Sequence, residues 1–227
     1  MSSKVFHGVL TLLLFSLFLI EANPSYGKEE NIQRELKEEI IIKRLEAHTQ
    51  ILNLKILSTK MKEIEITLGK AAYSTLKQNH HQQKIICYKS ISQNDNTAIY
   101  FYDNAMSGIF LQKFEIFQLD PILMKRVTCV ESQKINKEIH TKGGIQLGMT
   151  RSNLLENMGI SPKSAIKENP NFEKIEFEYI YLKKMSKNEI KSYQAIDHPY
   201  FVQVFYAKFK LFDEKIISMS ISLSSTY

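Results

Sequence analysis

Residues 200–224 read Tyr-Phe-Val-Gln-Val-Phe-Tyr-Ala-Lys-Phe-Lys-Leu-Phe-Asp-Glu-Lys-Ile-Ile-Ser-Met-Ser-Ile-Ser-Leu-Ser, and this stretch sets the fold class. Residues 200–211 and 215–223 are rich in aromatic and β-branched side chains, and Phe212-Asp213-Glu214 supplies a turn, so the pattern predicts a β-hairpin. In the second strand Ile217, Met219, Ile221 and Leu223 alternate with Ser218, Ser220, Ser222 and Ser224. Side chains alternate across a strand, so the apolar set faces one way and the serines the other. That is the signature of an antiparallel sheet with one wet face, and helices should cover the opposite face.

Working outward, residues 174–182 predict another strand, and residues 84–90, 97–102, 109–119 and 125–131 predict four more, separated by polar turns such as Gln93-Asn94-Asp95-Asn96. Between the two groups, Thr150 can cap a short helix whose apolar face carries Leu154, Leu155 and Met158. Gly159 can take its left-handed end before Pro162. Ile66-Thr67-Leu68-Gly69 recurs as Ile145-Gln146-Leu147-Gly148, with Leu76 and Leu155 also in register. The recurrence predicts two tandem units, each with a short helix followed by strands: residues 63–140, whose helix would fall at 70–79, and residues 141–227. Gly143-Gly144 would be the joint.

The run Ile145-Gln146-Leu147-Gly148-Met149-Thr150, continued through Leu154 and Met158 to Gly159 and Pro162, resembles the helical signature of the SmpA/OmlA (BamE-like) family and the β-lactamase-inhibitor-protein-like fold. It covers about eighteen residues and departs from the pattern by one extra residue before Pro162. The resemblance implies a small helix pair on an antiparallel sheet, and two tandem copies would bind an enzyme or other protein through the sheet surface. No inhibitory residue transfers with it.

At the other end, Lys4 precedes an apolar run from Val9 to Ile20, followed by polar and small residues up to Gly27. This is the pattern of a signal peptide over residues 1–27, cleaved after Gly27 or, alternatively, after Ala22, with an uncleaved anchor as the competing reading. A dozen apolar residues fall short of the roughly 18–20 that span a bilayer. No later segment resembles a span, and no Cys follows the run to take a lipid. The expected destination is the periplasm or the exterior. Residues 28–62 hold no Gly or Pro and space Ile32, Leu36 and Ile40 by four, which predicts an N-terminal helix, continuous or broken near residues 48–53, with its apolar stripe against the body.

The only two cysteines, Cys87 and Cys129, fall on predicted strands. In an exported chain one disulfide is the economical pairing, and two buried thiols are the alternative. A chain of 227 residues with 44% hydrophobic content can bury a real core. The net charge of +6 survives loss of the signal segment, which removes one Lys and one Glu, but no Lys/Arg stripe points to nucleic acid.

No hydrolase, metal-protease or phosphate-loop motif is present, and no cofactor or metal site is expected. His80-His81 reads as a solvated turn, Asp197-His198-Pro199 as a turn, and Glu173, Glu176 and Glu178 as strand residues, the last two on one face. Rigid aromatic rings on an exposed strand face suit a protein partner, and Tyr100, Tyr102 and Tyr206 are the candidate binding residues. The overall reading is an α+β, non-enzymatic exported binding protein that engages a protein through a β-surface. A secreted or periplasmic hydrolase with an unrecognised active site is the rival class.

Overall fold

The computed structural model describes residues 24–78, 81–103, 109–118, 128–184 and 200–226. Residues 1–23 of the expected signal segment, His80, and Asp197-His198-Pro199 lie outside them. The chain divides into two compact units at Ile41/Ile42. The described part of the first unit is the front of helix α1 (Pro24–His48), on which Ile32, Leu36 and Ile40 are 55%, 49% and 59% exposed.

Within the second unit, the end of α1 buries Leu45 and His48 completely. The helix expected to reach residue 62 stops here. Thr49 turns back on it, its hydroxyl donating to the Glu46 carbonyl at 2.7 Å. A small hairpin follows, β1 (Gln50–Ile51) and β2 (Leu54–Lys55), joined by Leu52 and Asn53 at φ 50° and 65°. Ile51, Leu54 and Ile56 are buried in this hairpin, so an apolar density that reads as helical serves an extended segment instead.

Helix α2 (Met61–Leu68) follows, with Met61, Ile64 and Leu68 buried at helical spacing. The Lys60 amide donates to Glu63 Oε2 at 2.9 Å, which satisfies one of its orphan donors. Gly69 therefore ends a helix here, whereas Gly148 precedes one, and the recurrence of Ile-x-Leu-Gly is not in structural register. The helix expected at residues 70–79 is replaced by strand β3 (Ser74–Gln78). Helix α3 (Arg151–Met158) forms as its signals predict. Thr150 Oγ1 accepts from the Asn153 amide at 3.4 Å, and Gly159 takes φ 65° in the left-handed region.

The remaining strands are β4 (His81–Ser90), β5 (Thr97–Asp103), β6 (Leu111–Gln118), β7 (Val130–Ser132), β8 (Ser164–Lys167), β9 (Phe172–Lys184), β10 (Tyr200–Phe212) and β11 (Lys215–Thr226). They form one nine-stranded sheet in the order β3-β4-β5-β6-β11-β10-β9-β8, with β7 beside β4. All pairings are antiparallel except β4–β7. The element order α-β-β-β-β occurs twice, as α2 through β6 and as α3 through β8 to β11, and the two fourth strands meet at the centre of the sheet. The expected boundary near residue 140 thus falls where one sheet runs through both stretches.

One face of the sheet is apolar and helix-covered. Phe205, Ala207, Phe209 and Leu211 of β10 lie beside Ile175 and Phe177 of β9, and Met219, Ile221 and Leu223 of β11 continue the layer; all are buried. Three contacts bring the helical elements to this face. Lys183 Nζ donates to Glu46 Oε1 at 2.7 Å, Tyr88 Oη donates to the Gly69 carbonyl at 2.6 Å, and Arg151 Nε donates to both oxygens of Glu173. The alternation in β11 holds from Met219 onward, but Ile217 does not join it. The β10–β11 register shifts at Lys210/Leu211, Ile216 takes the buried place, and Ile217 is the extra residue of a bulge.

His48 ties α1 to α3 from within the core. Its Nε2 lies 3.3 Å from the Asn157 carbonyl, which can only accept, so Nε2 carries the proton. Nδ1 then accepts from Thr141 Oγ1 at 3.1 Å, and that hydroxyl accepts from the Ile145 amide at 3.0 Å. Burial, aided by the charge of Arg44 and opposed by the Asn157 carbonyl, holds the His48 pKa below its ordinary value of 6.5. The unfolded chain therefore takes up this proton at higher pH than the folded one. Stability should be undiminished above pH 6.5 and fall as the pH drops from there to the depressed folded value. Thermal melts between pH 7.5 and about 5 should show the decline, and His48→Gln should flatten it; an unchanged slope in that variant would assign the decline to other groups.

Candidate binding surface on the open sheet face

The opposite face of the sheet carries the alternate residues, and the strand registers align them in rows. One row runs Ser164, Glu176, Lys208, Ser220, Glu115, Tyr100, Cys87. The next runs Glu178, Tyr206, Ser222, Lys113, Tyr102, Ile85. A third passes from Lys174 through Lys210, Ser218 and Phe117 to Ala98. The serines of β11 thus form a polar stripe between two clusters of the same composition, Tyr–Glu–Lys.

In the β5–β6 cluster, Tyr102 Oη donates to Glu115 Oε2 at 3.0 Å, and Lys113 Nζ pairs with that carboxylate at 3.2 Å while standing 4.3 Å over the Tyr102 ring. Tyr100 packs on Phe117 at 4.7 Å between ring centroids. Burial, then the Glu115 charge, pushes both phenols above their ordinary range. In the β9–β10 cluster, Lys208 Nζ reaches Glu176 Oε1 at 2.9 Å and Lys163 pairs with Glu178. The hydrogen bond from Lys208 holds the Glu176 carboxyl below its usual value and raises the lysine. Desolvation and donation to Glu176 raise the Tyr206 phenol. The array offers fixed hydrogen-bond donors and acceptors along the strand rows.

Tyr100, Tyr102 and Tyr206 fall on this one face, but they are not equivalent. Tyr206 and Tyr102 lie in one row with β11 and β6 between them, about 14 Å apart by strand spacing. Tyr102 is buried and Tyr100 half-buried, and their neighbours on this face, Ile85, Cys87, Ala98 and Phe117, are buried as well, so that half of the face is covered. The accessible part runs from Lys113 and Glu115 across the serines to β9. There Ile180 and Leu182 are 62% and 64% exposed, directly opposite Val204 and Val202 of β10. Sequence reading missed this patch, although the run Glu176, Glu178, Ile180, Leu182 at two-residue spacing marks it. Glu173 is not on the wet side with Glu176 and Glu178: it faces the helices and takes Arg151.

Cys87 and Cys129 are bonded, with Cα atoms 4.5 Å apart. A separate cleft of about 610 Å³ and mixed lining lies between the β1–β2 turn and residues 134–142, bordered by Gln50, Asn53, Lys134, Glu138 and His140 together with the apolar Leu52 and Ile139. Its residues come from two distant stretches, which no motif search would join. Among the described residues no three His, Cys, Asp or Glu side chains cluster as metal ligands, and no helix is long and apolar enough to cross a membrane.

No family model, curated protein or solved structure matches this chain.

Proposed function

We propose that this chain is an exported, non-enzymatic binding protein that holds a protein partner against the open sheet face between β6 and β9. The observation that carries the reading is the exposed pair Ile180 and Leu182, continued by Val202 and Val204 and bordered by Tyr206, Lys208 and Glu176. An apolar patch rimmed by ordered charges on a flat surface is the composition of a protein interface. The Cys87–Cys129 disulfide suits an oxidising compartment and supports the reading of residues 1–27 as a signal segment. The doubled order α-β-β-β-β, meeting at β6 and β11, supports two tandem units and with them the resemblance to the β-lactamase-inhibitor-protein-like fold. The earlier match at Gly69 and Gly148 does not support it.

The test is a photo-crosslinking residue placed at Ser222, at the centre of the accessible face, and for comparison at the exposed Ser152 of α3, in the cells that make the protein. A discrete protein adduct should form at Ser222 and not at Ser152. Tyr206→Ala should cost about 2 kcal/mol of partner affinity, a loss of roughly thirtyfold, and weaken the adduct accordingly. Equal labelling at both sites, or an adduct indifferent to Tyr206→Ala, would remove the open face as the site.

A further inference from the structure

Among the described residues, strand β9 has a neighbouring strand on its outer side only along Glu173–Glu176, where β8 pairs with it. Residues 177–184 have no strand on that side among the described residues. The Glu176 carbonyl points outward, accepting from the Lys163 amide at 2.7 Å. Backbone groups alternate sides along a strand, so the N–H and C=O groups of Glu178, Ile180, Leu182 and Lys184 also point outward, to an edge that no strand among the described residues pairs. A long, apolar, unpaired edge is a template for another strand, and sheets that avoid pairing protect it with proline, a bulge or inward-pointing charge. Residues 177–184 read Phe-Glu-Tyr-Ile-Tyr-Leu-Lys-Lys and carry none of these at the centre.

We propose that two copies of this chain pair antiparallel through residues 177–184 of β9, about a two-fold axis at Tyr181, joining their sheets into one. The register follows from the sequence. Only outward-pointing residues can exchange hydrogen bonds, so even positions must face even positions. Centring on Tyr181 places Glu178 opposite the second copy's Lys184 and Ile180 opposite its Leu182, each pair occurring twice. Both opposite charges and both apolar residues are therefore matched on the same face. About eight backbone hydrogen bonds would form across the axis. Shifting the centre to Leu182 loses the Glu–Lys match, and shifting it to Ile180 brings Lys184 opposite Glu176, whose outward carbonyl already takes the Lys163 amide beside β8. Glu178 already takes Lys163 on Oε2, which leaves its second oxygen for the incoming lysine. Lys184 is exposed and makes no ion pair among the described residues. Pairing also sets the two Ile180–Leu182 patches side by side on one continuous open face.

This pairing does not depend on the identity of the open-face partner. Sedimentation velocity on the full disulfide-bonded protein, from low to high micromolar, should show a monomer–dimer equilibrium. Ile180→Pro removes an outward N–H without touching the β10 ladder. It should weaken association by about thirtyfold or more while the thermal midpoint of the monomer stays within a few degrees. Glu178→Lys and Lys184→Glu should each weaken it about tenfold, and the two together should return it to within about threefold of the original. A monomer at every concentration, a dimer indifferent to Ile180→Pro, or a double reversal that fails to restore pairing would each overturn the proposal.

Discussion

Replacing Cys87 and Cys129 together with Ala should lower the thermal midpoint by about 10–15 °C. The bond joins residues 42 positions apart, and on the chain-entropy account closing a loop of that length restricts the unfolded chain by about 4 kcal/mol. In a chain of this size each kcal/mol corresponds to roughly 2–4 °C. The loss should be felt locally as well. Strand β7 is three residues long and pairs with β4 only through Val130, Glu131 and Ser132, immediately after Cys129. Without the covalent tie that short parallel ladder stands alone, so amides of Val130–Ser132 should exchange with solvent well before those of β10. Calorimetry of the double variant, with the reduced wild type alongside, checks the midpoint. A shift of under about 3 °C in both would mean that the bridge restrains little of the unfolded ensemble.

Gly143→Ala should cost about 3 kcal/mol, the upper part of the range for forcing a methyl into a packed site. The added Cβ would overlap the His48 ring at Cε1 and Nδ1. A flexible neighbour could step aside, but this ring is held on one side by Thr141 and on the other by the Asn157 carbonyl, in a site with no exposure. Two hydrogen bonds would have to lengthen for the methyl to fit. The same change made in a His48→Ala background should cost almost nothing, because the obstacle is gone, and that non-additivity separates the clash from any backbone effect. Urea unfolding of the four proteins measures it. Equal costs in both backgrounds would show that the ring is not what the methyl meets.

The second half of the chain was largely legible from its residues. Thr150 and Gly159 bound α3 because each does a job few other residues can do at a helix end, and the serine–aliphatic alternation of β11 admits no other period. The first half was not, for reasons that lie in competition between local and long-range terms. Residues 50–57 have the apolar density of a helix, yet the core takes Ile51, Leu54 and Ile56 from an extended hairpin, and Leu52, Asn53 and Leu57 accept left-handed backbone to allow it. Short edge strands such as β3 and β8 are defined by the strand beside them and leave little trace of their own. Gly69 reads equally well as the start or the end of a helix, and only burial of Met61 and Ile64 decides. Alternation puts Tyr100 and Tyr102 on one face of their strand, but only the strand registers bring Tyr206 to the same face, and exposure depends on what crosses that face, which period-two reasoning cannot see.

The order of strands has a further consequence for how the molecule is made. β11, the last strand in the sequence, sits in the middle of the sheet, and five residue pairs with β6 form the seam between the two halves. During folding β3 to β6 can hydrogen-bond among themselves, and so can β8 to β10, before residues 215–226 dock between them. Until that strand docks, β6 and β10 each present an unpaired inner edge that the folded sheet covers. The folding chain is thus two half-sheets waiting for a keystone, and its most association-prone state is the one in which β11 has yet to dock.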